Sequence, residues 1–176
     1  MKTKGKPLIR TLINQTESKD IEFWRLTEVQ RPDLIALMNH PLVRRQMPLL
    51  KGGFTQIDSD RFIAAKERLW LKHGYGPWAF VAGSQLVGWG GLQPEQGDAD
   101  LALVLHPNYW GIGRRLYEAI VTQAFDEKGF ESITVRVPPT RTRVRGLIRL
   151  GFTADGEVEV EGCRFNRYRL SQPSNV

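Results

Sequence analysis

A chain of 176 residues suffices for one domain and leaves no room for separate cofactor and substrate domains of ordinary size. With 41% hydrophobic, 10% aromatic and 25% charged residues, the composition is that of a globular protein and excludes disorder as the dominant state. Lys plus Arg exceed Asp plus Glu by 25 to 19, and the net charge of +6 admits an anionic partner: a phosphorylated cofactor, nucleic acid, or only solvent.

No apolar stretch runs much beyond the length of Leu101 to Leu105, whereas a membrane-spanning helix needs about 20 residues, so neither a span nor a membrane partner is expected. Lys2, Lys4, Lys6 and Arg10 are not followed by an apolar run, which argues against a secretory signal. Cys163 stands alone and the three histidines lack zinc-ligand spacing. Neither an internal disulfide nor a metal is expected, and the cytoplasm is the expected compartment.

Residues 1–20 are polar and without a strong period, and Ile21 to Leu26 reads as a short strand. Pro32 suits a first helical position, and Leu34, Leu37 and Met38 recur at helical spacing until Pro41 stops the helix. Thr55 or Asp58 caps a second helix with Phe62, Ala65, Leu69 and Trp70 inward, Lys66, Glu67 and Arg68 on a solvated face, and His73-Gly74 at its end. Ala79 to Ala82 and Leu86 to Leu92 flank Gly83-Ser84-Gln85 as a hairpin with a three-residue loop. Gly88, Gly90 and Gly91 mark a bulge in its second arm, or a place where something approaches the backbone closely. Leu101 to Leu105 reads as a central strand. The loop Asn108 to Gly113 then opens a helix with Leu116, Ala119, Ile120 and Ala124 inward, closing at Lys128-Gly129. Ile133 to Val137 is the next strand, parallel to Leu101 to Leu105. After Pro138-Pro139, Thr140 caps a last helix with Val144, Leu147, Ile148 and Leu150 inward. Val158 to Val160 and Phe165 to Leu170 close the fold as antiparallel strands before a loose tail, 171–176. Trp24, Trp70, Trp78 and Trp89 read as core, and His40, His73 and His106 as isolated. No repeat or linker divides the chain, so a single domain over residues 1–176 is expected.

The segment from His106 to Leu116 is the most informative, because a glycine-containing loop between a buried strand and a helix presents unpaired N–H groups to an anion. Arg114 and Arg115 occupy the first turn of that helix, where the macrodipole disfavours cations unless a phosphate reverses the sign. A Walker A loop needs Gly-Lys-Ser or Gly-Lys-Thr, which the chain lacks. A dinucleotide fingerprint needs glycine where Leu116 stands and an acid ending the next strand, whereas Glu131 precedes it.

Asn108-Tyr109-Trp110-Gly111-Ile112-Gly113 resembles the signature of the GNAT family of acyl-CoA-dependent N-acyltransferases: Gln or Arg, two residues, Gly, one residue, then Gly or Ala. Asn108 stands where the family has Gln or Arg. A second register, Trp110 with Gly113 and Arg115, resembles the branch that includes ribosomal-protein N-terminal acetyltransferases; it puts Arg115 at a small-residue position, so the first is preferred. Arg149-Leu150-Gly151-Phe152 is similar to the Lys/Arg-Leu-Gly-Phe that ends the family's fourth helix, and the likeness spans residues 22–170 in outline.

The resemblance implies an α/β fold with a mixed central sheet of six to seven strands, helices on both faces, and splayed fourth and fifth strands. It implies acetyl-CoA as donor, its pantetheine arm on the backbone of Leu103, Val104 and Leu105 and its pyrophosphate on the N–H groups of Gly111, Ile112, Gly113, Arg114, Arg115 and Leu116. Acyl transfer to an amine needs a base, and Asp100 is the candidate, with Asp98 and Glu95 nearby. The family's proton-donating tyrosine falls at Leu147 and its helix-start asparagine at Thr140, which leaves the thiolate's proton to water or to another tyrosine such as Tyr168. Arg136, Arg141, Arg143, Arg145 and Arg149 form a solvated helix face, or meet the cofactor's 3′-phosphate or an acidic substrate. The implied reaction is acetyl transfer to a primary amine, a protein N-terminus or a small molecule, by a monomer or homodimer. The alternative is a catalytically silent acyl-CoA-binding module. No DNA- or RNA-binding motif supports a nucleic-acid partner.

Overall fold

The computed structural model describes residues 20–142 and 144–173, so the expectations for most of the polar N-terminal segment, for Arg143 and for the last three residues lie outside the described residues. Strands β1 (Ile21–Trp24), β2 (Pro77–Ala82), β3 (Gln85–Glu95), β4 (Asp98–Leu105), β5 (Ser132–Val137), β6 (Thr153–Val160) and β7 (Cys163–Ser171) form one mixed sheet, ordered β1-β2-β3-β4-β5-β7-β6. Only the β4–β5 pair is parallel. Helices α1 (Arg31–Asn39), α2 (Pro41–Arg44) and α3 (Gln56–His73) lie on one face; α4 (Gly113–Thr122) and α5 (Arg145–Arg149) lie on the other.

Strand β2 is buried on both sides, and its alternation feeds two cores. Trp78, Phe80 and Ala82 join Leu116, Tyr117, Ile120 and Phe152 on the α4–α5 side, while Ala79 and Val81 join Leu34, Met38, Ile63 and Trp89 beneath α1 and α3. Full burial of a side chain such as Phe80 contributes roughly 1.5–3 kcal/mol. Trp78 and Trp89 are buried and Trp24 and Trp70 half-buried against these clusters, as expected.

Helix α3 starts where expected, and both proposed caps act together. The Thr55 hydroxyl accepts from the Asp58 N–H while the Asp58 carboxylate accepts from the Thr55 N–H at 2.8 Å. Several boundaries differ from expectation. β1 ends at Trp24 because Leu26 enters a 3₁₀ turn, and Pro41 starts the short α2 rather than only stopping α1. The β2–β3 turn has two residues, since Ala82 pairs with Gln85, and β6 begins at Thr153 rather than Val158. Helix α4 passes into a π turn at Gln123–Glu127 before Gly129. Thr140 is not the cap of the last helix: the Arg141 N–H turns back onto the Pro138 carbonyl, α5 begins only at Arg145, and Ile148 points outward at 52% exposure.

Candidate active site

Strands β4 and β5 share a single bridge, Asp100 with Thr134, and then part. β5 runs on to Val137 paired with β7 alone, and Pro138-Pro139 ends it there. On the other side of β4 the pairing with β3 is complete from Glu95–Asp98 to Gly88–Leu105. Gly88 and Gly90 lie so close to the Val104 and Ala102 carbonyls that a Cβ would collide with them. The approach expected at these glycines is therefore that of β4.

This packing fixes where the backbone of β4 points. The Ala102 and Val104 carbonyls face β3, and the His106 N–H donates to Val87 at 2.8 Å. Main-chain groups alternate along a strand, so those of Leu103 and Leu105 turn to the side that β5 has left. Val104 is a correction to the expected set: its main chain is spent on β3, and its half-buried side chain packs toward α1 and α3. The Leu105 carbonyl accepts from the Trp110 indole N–H at 3.1 Å.

The expected open loop is instead a 3₁₀ helix, Pro107–Ile112, running into α4. Pro107 presets the first turn, the His106 Nδ1 accepts from the Asn108 N–H at 3.2 Å, and the Tyr109 N–H donates to the His106 carbonyl at 2.8 Å. The Gly113 N–H is taken by the Trp110 carbonyl, which removes it from the expected anion donors, and Leu116 is core at 1% exposure. Gly113 has ordinary helical angles, φ −55° and ψ −39°. A Cβ on Gly111 would meet nothing within 4 Å, and one on Gly113 would make only ordinary contact with Leu105 (3.5 Å) and Leu103 (4.0 Å). Neither conformation nor packing within the chain demands these glycines. The bare helix start beside the fork fits a phosphate-bearing carrier that approaches the backbone. Arg114 is held by Glu118 at 2.9 Å, and Arg115 lies half-buried in the same turn.

Asp100, 3% exposed, sits at the vertex of the fork on the α1–α3 side. It accepts from the Thr134 hydroxyl (3.3 Å) and from Arg136 Nε (3.4 Å), and Arg136 Nη2 lies 3.3 Å from it and 3.3 Å from Glu95. Burial pushes the Asp100 carboxyl up to about 6 against the pull of Arg136 and a hydrogen bond from Gln93. Gln93 also accepts from Lys66 Nζ at 2.7 Å, and Lys66 lies over the Phe62 and Trp89 rings. Burial, then Arg136, holds the Lys66 ammonium below its usual range, opposed by Glu95 and Asp100. Asp98 serves elsewhere, in a bidentate pair with Arg169 at 3.0 and 3.2 Å.

The structure thus joins Asp100 to Glu95, as expected, but through Arg136, and separates Arg136 from the exposed Arg141, Arg145 and Arg149. Gln93 and Lys66 were missed. The signal for Gln93, Glu95, Thr134 and Arg136 is a polar residue at every second position of strands otherwise apolar, and Lys66 reads as solvated on helical spacing alone. His40 and His106 are not isolated, since their rings meet edge to face at 5.0 Å. Among the described residues no helix is long and apolar enough to cross a membrane.

The chain belongs to the GNAT acetyltransferases, acyltransferases that use acetyl-CoA: the family model for the acetyltransferase (GNAT) domain matches residues 21–153. Solved structures with the same fold include an acetyltransferase from Agrobacterium tumefaciens, with TM-score 0.69, 16% identity, and 96% of this chain and 100% of that one covered. A ribosomal-protein-alanine N-acetyltransferase from Brucella melitensis has TM-score 0.63 and 18% identity, covering 86% and 99%. An aminoglycoside acetyltransferase in complex with coenzyme A has TM-score 0.66 and 12% identity, covering 86% and 94%. No curated protein matches the chain by sequence.

Proposed function

We propose that this protein transfers the acetyl group of acetyl-CoA directly to a primary amine, with Asp100 as general base. The observation that carries this reading is the fork: a single β4–β5 bridge whose vertex holds a buried carboxyl with a pKa raised to about 6. Leu103 and Leu105 turn main-chain groups into the opening, where an extended arm pairs as an added strand does. The bare backbone at Gly111 and the first turn of α4 would hold the carrier's phosphates, and bound acetyl-CoA supplies an activated acyl carbon. Within that frame Asp100 takes the proton from the attacking amine, and the inward Leu103 N–H is the donor to the oxygen on which charge develops.

Thermal unfolding with and without acetyl-CoA tests the first half: at 100 times Kd the ligand adds about 2.7 kcal/mol of stability. Thiol release with an amine panel tests the second. Leu147, half-buried in the apolar core where the family carries a tyrosine, favours the second reading, a silent acyl-CoA-binding module. Ligand stabilisation without thiol release on any amine would select that reading.

A further inference from the structure

The inner face of α3 is spent on the core, with Ser59 and Ile63 buried and Lys66 reaching Gln93, but its outer face is uncovered among the described residues. Ile57 and Leu71 are 63% and 79% exposed there, and Ala64, midway between them, is exposed as well. Residues seven apart drift only about 20° around a helix, so these three form one apolar line. An acid followed by an arginine recurs with the same period, Asp60-Arg61 and Glu67-Arg68, the acids on one flank of the line and the arginines on the other. Arg25 takes Oε1 of Glu67 at 2.6 Å and Arg31 takes Oδ1 of Asp60 at 3.2 Å, which fixes the acidic flank yet leaves the two side chains 32% and 55% exposed. Arg61 and Arg68 are exposed and have no ion-pair partner among the described residues.

We infer that this face is the contact of a two-fold homodimer, in which α3 crosses the α3 of a second copy antiparallel at Ala64. About Ala64, Ile57 and Leu71 lie seven residues either way, Asp60 and Arg68 four, and Arg61 and Glu67 three. A two-fold axis through Ala64 reverses the helix and exchanges its flanks, so every position meets one that suits it. Ile57 packs on the partner's Leu71, Asp60 faces the partner's Arg68, and Glu67 faces the partner's Arg61. The small side chain at the axis lets the two backbones approach. A parallel pairing also matches acid to arginine, but it sets like ends of the two helix dipoles side by side, and with them the basic last turn of Lys72 and His73 against its own copy. Ile57 to Leu71 spans about 21 Å, and one helix pair of that length makes a small interface, so the dimer dissociates in the micromolar range and weakens with salt.

Sedimentation equilibrium of the full chain at micromolar to submillimolar concentrations, in low and in high salt, tests this. A dimer should form, with a dissociation constant that high salt raises about tenfold. Ala64→Arg puts two cations on the axis and should leave a monomer with an unchanged melting temperature. D60R or R68E alone sets like charges against each other at both ends of the contact and should weaken the dimer about a hundredfold. The double variant D60R/R68E exchanges the partners across the axis and should recover most of that loss, which neither a parallel pairing nor loss of the Arg31 contact allows. A monomer at every concentration, a dimer that A64R leaves intact, or a double variant no stronger than its weaker parent would overturn the inference. So would a monomer whose melting temperature A64R lowers, which would assign the face to another segment of the same chain.

Discussion

Replacing Asp100 by Asn removes the carboxylate at the vertex of the fork and keeps its shape. Burial is the largest cause of its raised pKa, from an ordinary 3.8 to about 6, and Arg136 and Gln93 oppose it. A carboxyl whose pKa is higher folded than unfolded costs stability once it ionises, because the native state holds the proton more tightly. Stability therefore falls as pH rises from the unfolded value through the folded one. A rise from 3.8 to about 6 amounts to about 3 kcal/mol when ionisation is complete. Of that, about 2 kcal/mol accrues between about pH 4 and about pH 7.5. Asn has nothing to ionise, so the difference in unfolding free energy between D100N and wild type should move in the variant's favour by that amount over the range. Urea denaturation at several pH values measures it. Parallel stability profiles would refute the reasoning, since Asp100 would then titrate as an exposed carboxyl does. In the same variant acetyl transfer should fall by about 10²–10⁴ while stabilisation by acetyl-CoA persists.

Gly111→Ala should stabilise the fold by up to about 1 kcal/mol through helix propensity, since its Cβ meets nothing, and raise the KM for acetyl-CoA; both are read from melting curves and steady-state kinetics. Gly90→Ala drives a methyl into the Ala102 backbone and should cost about 3 kcal/mol in chemical denaturation. Burial, then the neighbouring His40, lowers the His106 pKa, and its Nδ1 accepts a cap hydrogen bond that protonation abolishes. Its contribution, about 1 kcal/mol as a cap, should be complete above about pH 6.5 and be lost on acidification; His106→Asn, which caps without titrating, should flatten that loss. Tyr117→Phe removes a buried hydroxyl that has no partner among the described residues, so unfolding free energy should hold or rise, by up to about 2 kcal/mol.

Much of this was legible in the sequence, for physical reasons that differ from residue to residue. Alternation and turn chemistry locate the strands because a residue's side fixes its burial; Leu101 to Leu105 is the clearest case, as a run apolar at every position has to be covered on both faces. Helix α3 was readable from Thr55 to Gly74 because its cap and its stop are local hydrogen bonds. The loop was misread because glycines were taken as breaks, when Pro107 and His106 start a helix that both glycines join. The orientation of the Val104 main chain and the place of Arg136 depend on register with β3 and on a reach from β5 back to β4, which no local pattern encodes. Asp100 was singled out in the sequence from its position alone, whereas the burial that raises its pKa against the pull of an arginine belongs to the assembled sheet.

Because β4 and β5 meet at one bridge, the seven strands are one sheet in order but two slabs in hydrogen bonding, β1 to β4 and β5 with β7 and β6. Ion pairs button the slabs together along the seam: Asp98 to Arg169, and Asp100 and Glu95 to Arg136. Backbone ladders are indifferent to electrolyte, whereas partly exposed charges are screened by it. Salt should therefore weaken the Asp98–Arg169 tie while sparing the buried Asp100–Arg136 pair, and acid should loosen both, so that the molecule gives first along the seam with each slab left whole.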